Sequence, residues 1–249
     1  MNEVGDSLTY PPLNTPKAVA AGVWVVDGPT IGFGPPGLKV RHPTRMTVLA
    51  LEDGSLFLHS PTAYTPPLQR ELDGLGKVRW IIGPNRVHYW WIPEWHAAYP
   101  DAEVWLAPRI REQASGAGKP ITSVAHELEA PGTYPWDSGI ETLPIPRSGF
   151  MTEYEFFHRS SRTLVLTDLV ENFELQKIDS RLIRTFIRIA GAAGEAPLDL
   201  RLFGPRRALR RSVQTMIEWQ PERIILSHGR WYDKDGAAEL RRVFRWLLS

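Results

Sequence analysis

Short apolar runs rich in β-branched residues alternate along the chain with stretches patterned for helix, and this order restricts it to a layered α/β fold. "GVWVVDGP" ends in Asp27-Gly28-Pro29, as a strand before a turn does, and "TIGFGPPGLKVRHP" reads as a Gly- and Pro-rich loop. "MTVLALEDGSLFLHSP" predicts a hairpin, because two β-rich runs flank Asp53-Gly54. "PPLQRELDGLG" predicts a short helix with Pro in its first turn, Leu68, Leu72 and Leu75 at helical spacing, and Gly76 past its end. "VRWII" shows no alternation, so a strand there is buried on both faces.

Residues 89–99 predict a second helix whose first turn lies near Pro93. "AEVWLAP" then reads as a strand, "RIREQASG" as a short helix, and residues 119–151 as short strands broken by Pro and Gly. "EYEFFHRSSRTLVLTD" predicts a hairpin turning at 159–162. Two amphipathic helices follow, and the first, "SRLIRTFIRIAG", gathers Leu182, Ile183, Phe186, Ile189 and Ala190 on one face. "ERIILSHG" is a last strand and "DGAAELRRVFRWLL" a closing helix. The expected fold is two mixed sheets packed face to face with helices outside, an αββα sandwich, in a single domain over 21–249 with residues 1–20 as a surface arm.

Twenty-nine basic residues balance 28 acidic ones, so total charge implies no nucleic-acid face. The absence of cysteine removes disulfides, thiolate nucleophiles and Cys-type metal sites, and fits a reducing compartment. No apolar run approaches a membrane span, and the first 18 residues lack a secretory pattern, so a cytoplasmic protein with no membrane partner is expected.

Three polar residues share one context. His88 lies just beyond the strand 78–82, Asp168 ends the strand 163–167 and His228 ends the strand 223–226. Loops at strand ends are where such folds hold ligands, and two imidazoles with one carboxylate form a set that binds a divalent ion with positions left open.

"RIILSHG" resembles the last histidine motif of the metallo-β-lactamase superfamily, and "SSRTLVLTDLV" resembles its strand ending in an aspartate that bridges two metals. The resemblance runs over about nine tenths of the chain and implies that family's αββα sandwich, with function along its edge. In the family the corresponding metal loop carries three histidines and an aspartate. Here it reads "GPNRVHYWW", in which only His88 matches, and where a middle histidine is expected "RSGFMTE" offers Glu153. The resemblance thus implies an uncharacterised branch with one metal position dismantled.

Two readings of function follow. In the first, His88, Asp168 and His228 hold one divalent ion, zinc or iron, for hydrolysis of a small molecule; His88 and Asp168 are the catalytic candidates, and Asn85 or Tyr89 orients substrate or stabilises developing charge. His59, at the end of "LFLHSP", is a candidate hydrogen-bond donor behind the ligands. In the second, the protein holds no metal, and Trp90, Trp91 and Trp95 with Trp231 and Tyr232 form an aromatic surface for a small ligand or protein. Nucleic-acid processing, suggested by the arginines of "RLIRTFIR" and "RRALRR", is outweighed by the reading of these helices as solvated amphipathic faces. His42, His96 and His126 read as surface or packing residues.

Overall fold

The structure, a computed structural model, describes residues 7–33, 40–123, 125–129, 132–148 and 151–249. β1 (Lys17–Ala20) pairs with the start of β2 (Val23–Phe33), which runs antiparallel to β3 (Val40–Ala50) from Val23↔Leu49 to Phe33↔Val40. The stretch expected as a loop is therefore strand at both ends, because cross-strand pairing outweighs its Gly and Pro content; its centre, 34–39, lies outside the described residues. β4 (Ser55–His59) closes the expected hairpin, with Gly54 at φ +77° in the turn.

α1 (Pro66–Asp73) is capped by Thr65, whose side-chain oxygen accepts from the Leu68 N–H. It crosses to β5 (Lys77–Gly83), parallel to β4. α2 (Ile92–Ala98), β6 (Glu103–Leu106), α3 (Ile110–Gly116) and β7 (Ala125–Glu127) extend the parallel part, so that β1 to β7 lie side by side in chain order in one sheet. α2 starts three residues later than the pattern predicts, because Pro93 belongs in its first turn.

β8 (Ile140–Ser148), β9 (Met151–His158) and β10 (Thr163–Leu166) form an antiparallel meander. The chain then adds β11 (Glu171–Asn172), α4 (Arg181–Ala190), β12 (Ala193–Glu195), α5 (Leu198–Phe203) and α6 (Arg206–Glu218). β13 (Arg223–Leu226) returns parallel to β10 and completes a second sheet in the order β13-β10-β9-β8. The expected closing helix is two pieces, α7 (Gly236–Val243) and α8 (Arg245–Leu248), separated at Phe244.

The sheets pack through an aromatic core in which Trp136 meets Phe57 at 4.9 Å and Trp105 at 5.2 Å between ring centroids. Leu68, Leu72 and Trp95 cover the outer face of the first sheet from α1 and α2. Leu200, Leu209, Val213 and Leu240 cover the second from α5, α6 and α7. This is the αββα sandwich. Trp231 and Tyr232 pack against the second core, so they do not join the aromatic surface expected near His88. The described part of the arm is docked: Tyr10 donates to Glu174 at 2.6 Å, and Lys17 meets Asp27 at 2.5 Å. No helix among the described residues is long and apolar enough to cross a membrane.

One buried cation joins the sheets. Arg45, on β3, pairs with Asp27 at 2.7 Å and donates from Nη1 to the carbonyls of Leu226 (2.6 Å) and Gly229 (2.8 Å), at the end of β13. Removing it leaves Asp27 buried with only Lys17, and two carbonyls unpaired. Arg45→Ala is expected to cost about 3–5 kcal/mol, read from the urea midpoint. Arg45→Lys recovers only part of this, because a single ammonium lacks the planar fork; an unchanged midpoint in Arg45→Ala would contradict the role.

Candidate metal centre

β5 and β13 end at the same rim, and the residues that follow them face each other. Asn85 begins the turn after β5: its Oδ1 accepts from the N–H groups of Val87 (2.9 Å) and His88 (3.2 Å), which fixes the backbone that carries His88. Gly229 follows His228 at φ +80°, and a Cβ there would lie 2.0 Å from the Asn172 carbonyl oxygen, so only glycine lets this turn lie against β11.

The three residues singled out by position meet. His88 Nε2 lies 3.2 Å from Asp168 Oδ1 and 3.2 Å from His228 Nε2, and His228 Nε2 lies 3.3 Å from Asp168 Oδ1. The other nitrogen of each ring is engaged. His228 Nδ1 donates to the Pro43 carbonyl at 2.7 Å, and His88 Nδ1 meets Ser60 Oγ at 2.6 Å. Both Nε2 atoms therefore point at Asp168. Burial alone would lower the His228 imidazole, but its hydrogen bond to Asp168 and that carboxylate's charge bring it to about 9. Burial alone would raise Asp168; His88 and His228 beside it hold its carboxyl well below the usual carboxylate range.

Asp168 is held from behind. Its Oδ2 accepts from the Asn85 amide at 2.8 Å. Glu153 Oε1 accepts from the backbone N–H groups of Asp168 (2.7 Å) and Leu169 (2.8 Å). Arg147 donates to the Asp168 carbonyl at 2.8 Å and to Glu153 Oε2 at 3.2 Å. Glu153, the nearest match to the family's middle histidine, thus serves the backbone of Asp168. Asn85 is fully buried behind Asp168, with its amide and carbonyl both committed.

The cluster floors a pocket of about 110 Å³, walled by Ile31, Val87, Tyr89, Trp90 and Trp91, with His42 and Glu171 beside His228. Tyr89 is buried and stacks on Trp90 with centroids 6.0 Å apart; Trp95 is core. His42 lies edge-on to His228 at 5.5 Å, a packing contact on the pocket wall. Burial raises the Glu171 carboxyl to about 7 against the pull of His228. His59 is fully buried, edge-on to Phe156 at 5.5 Å, with neither ring nitrogen hydrogen-bonded among the described residues, and burial pushes its imidazole down to about 3. It makes no contact of the donor kind expected from its position.

Sequence reasoning does not reach Ser60, Pro43, Arg147 or Glu171, since their contacts with the centre arise from how the strands pack rather than from any local motif. The two acids in "EYEFF" are the one signal that was readable: a strand whose neighbours are aromatic buries a carboxylate only for a purpose.

Ligand atoms held tetrahedrally at about 2.0–2.1 Å from Zn²⁺ stand roughly 3.3 Å from each other. The three separations here have that size, and the Pro43 carbonyl holds the Nδ1–H of His228, so that the neutral ring, once an ion displaces the Nε2 proton shared with Asp168, presents its Nε2 lone pair. His88, Asp168 and His228 are the group of metal-capable side chains found among the described residues.

Comparison with known proteins agrees with this architecture. The structure is similar to the metallo-β-lactamase VMB-1, at 10% identity over 98% of both chains with a TM-score of 0.61. It is also similar to FIM-1 from Pseudomonas aeruginosa in its mono-zinc form, at 12% identity over 94% of this chain and 92% of that one (TM-score 0.54). DIM-1 matches at 13% identity over 93% and 96%, with a TM-score of 0.56. No curated protein matches by sequence. The sequence profile of the family described as "Domain of unknown function (DUF4336)" matches residues 23–181, well over half of the chain. The protein has the metallo-β-lactamase fold and belongs to the DUF4336 family.

Proposed function

We propose that the protein is a single-metal hydrolase acting on a small molecule, with His88, Asp168 and His228 holding one divalent ion, zinc or iron. The observation that carries this reading is the mutual spacing of 3.2–3.3 Å between the three donor atoms at the floor of a pocket. Asn85 supports the single-ion form, because its amide N–H occupies Asp168 Oδ2, the side of the carboxylate a second ion would use. A fold neighbour, FIM-1, is described in a mono-zinc form.

A bound divalent ion supplies a Lewis acid for a carbonyl or phosphoryl oxygen and makes water acidic near neutrality. The chain's own groups do the rest. Pro43 and Ser60 orient the two imidazoles, and the Glu153–Arg147 pair keeps Asp168 in place. Glu171, on the pocket wall, is the group placed to take a proton from an incoming water. Tyr89, Trp90 and Trp91 receive apolar substituents and exclude solvent. Lack of cysteine supports a cytoplasmic setting.

A metal-free binding pocket is the second reading. It draws support from the Asp168–His228 pair, which satisfies its own charge when the imidazole is protonated.

Elemental analysis of protein purified without chelator separates the two. The hydrolase reading expects one equivalent of metal in the wild type and loss in Asp168→Ala and His228→Ala. It also expects zinc at a hundred times its Kd to stabilise the wild type by about 2.7 kcal/mol and leave both variants unmoved. Wild type that holds no metal and gains no stability from zinc would leave the binding reading. Asn85→Ala frees Asp168 Oδ2 and is expected to weaken zinc about 10–100-fold in a chelator competition titration; unchanged affinity would count against its positioning role.

A further inference from the structure

Six large apolar side chains are exposed among the described residues, five of them by more than half, and all lie between 182 and 203. Leu182 (80% exposed), Phe186 (55%) and Ile189 (64%) are on α4; Leu198, Leu202 (63%) and Phe203 (77%) are on α5. The amphipathic pattern of α4 predicts one inward face, but the helix divides it. Ile183 and Ile187 turn to a small core with Phe173 and Ile178, while Leu182, Phe186 and Ile189, at spacings of four and three, face out. Gly191, at φ +83°, lies so close to Ala196 that a Cβ would be 2.4 Å from its carbonyl oxygen, and this tight return sets α5 beside α4. The two exposed rows form one patch.

The patch is bordered by cations. Residues 180–211 contain eight arginines and two carboxylates. Glu195 is paired with Arg242 at 3.7 Å and Asp199 with Arg147 at 3.4 Å. Arg181 and Arg188 are exposed on α4, and Arg207 and Arg211 on α6. Arg201 of α5 and Arg206 of α6 both lie over the Trp246 ring, at 6.0 and 5.9 Å, which brings the start of α6 alongside α5.

We infer that α4, α5 and the start of α6 dock the protein on the surface of an anionic phospholipid bilayer, with α4 lying in the interface plane. Protruding leucine, isoleucine and phenylalanine enter the acyl boundary, where no shape complementarity is required, and the flanking arginines meet lipid phosphates. A second copy is a poor occupant, because an isologous contact sets the arginines against their own symmetry mates. Nucleic acid would engage the arginines but leaves the aliphatic side chains with nothing to stack on or bond to. This association runs against the expectation of no membrane partner, which was drawn from the lack of a spanning segment; it requires no spanning helix and is independent of the metal reading.

The test is co-sedimentation of the full chain with vesicles of phosphatidylcholine, with or without phosphatidylglycerol. Protein is expected to pellet with the anionic vesicles and stay in solution with phosphatidylcholine alone. Added salt releases it. The double variant Phe186→Ser/Phe203→Ser is expected to lose at least about tenfold in apparent affinity, and Arg181→Gln/Arg188→Gln about tenfold or more. All four positions are exposed, so the thermal midpoints stay at the wild-type value. The inference is overturned if wild type stays in solution with anionic vesicles or if neither variant changes the binding. It is equally overturned if sedimentation equilibrium shows a dimer that Phe186→Ser dissolves, or if retention on a DNA or RNA matrix is what the arginine variant abolishes while vesicles are ignored.

Discussion

The candidate centre depends on β3 reaching across to the end of β13. Arg45 binds the carbonyls of Leu226 and Gly229, and the Pro43 carbonyl accepts from His228 Nδ1, so one strand of the first sheet fixes both the backbone and the ring that leave the second. The cation is buried with Asp27, and a buried charge of this kind holds its position because displacing it would strand a partner in a medium of low dielectric. The approach of His228 to His88 is a consequence of how the sheets are pinned. Neither loop would hold that geometry alone.

A second constraint acts on Asp168. Its two oxygens have separate tasks, Oδ1 toward the imidazoles and Oδ2 toward Asn85, while Glu153 and Arg147 hold its backbone. Asn85, Glu153 and Arg147 are buried and Asp168 partly so, and hydrogen bonds within the set join all four, with Arg147 Nε the one buried side-chain atom of the set that has no partner among the described residues. Satisfied networks of this type resist rearrangement, because breaking any one bond exposes an unpaired polar group. In the proposed hydrolase this rigidity replaces the additional histidines that the family resemblance would call for: fewer ligands, more firmly placed.

Much of this was legible in the chain. Apolar runs mark β5, β10 and β13, and the three residues that meet lie in the turns just beyond them, because strand ends and the turns after them are local features. What escaped is non-local. Ser60 meets His88 across 28 residues and Pro43 meets His228 across 185, and no spacing rule connects them. Asn85 is recognisable as a turn residue, but that its amide also faces Asp168 depends on the packing of the two sheets. The amphipathic period of α4 holds, yet the period says only that one side is apolar; which part of that side meets a core is decided by Phe173 and Ile178, which precede the helix and lie outside its pattern.

The arginine-bordered patch and the candidate centre sit on parts of the chain linked through Arg147, which bonds Asp168 and Glu153 on one side and Asp199 of α5 on the other. Zinc K-edge absorption fine structure on protein loaded with one equivalent counts the imidazoles around the metal directly. The account predicts two imidazoles and oxygen donors at about 2.0–2.2 Å; three or more imidazoles, or none, would contradict it.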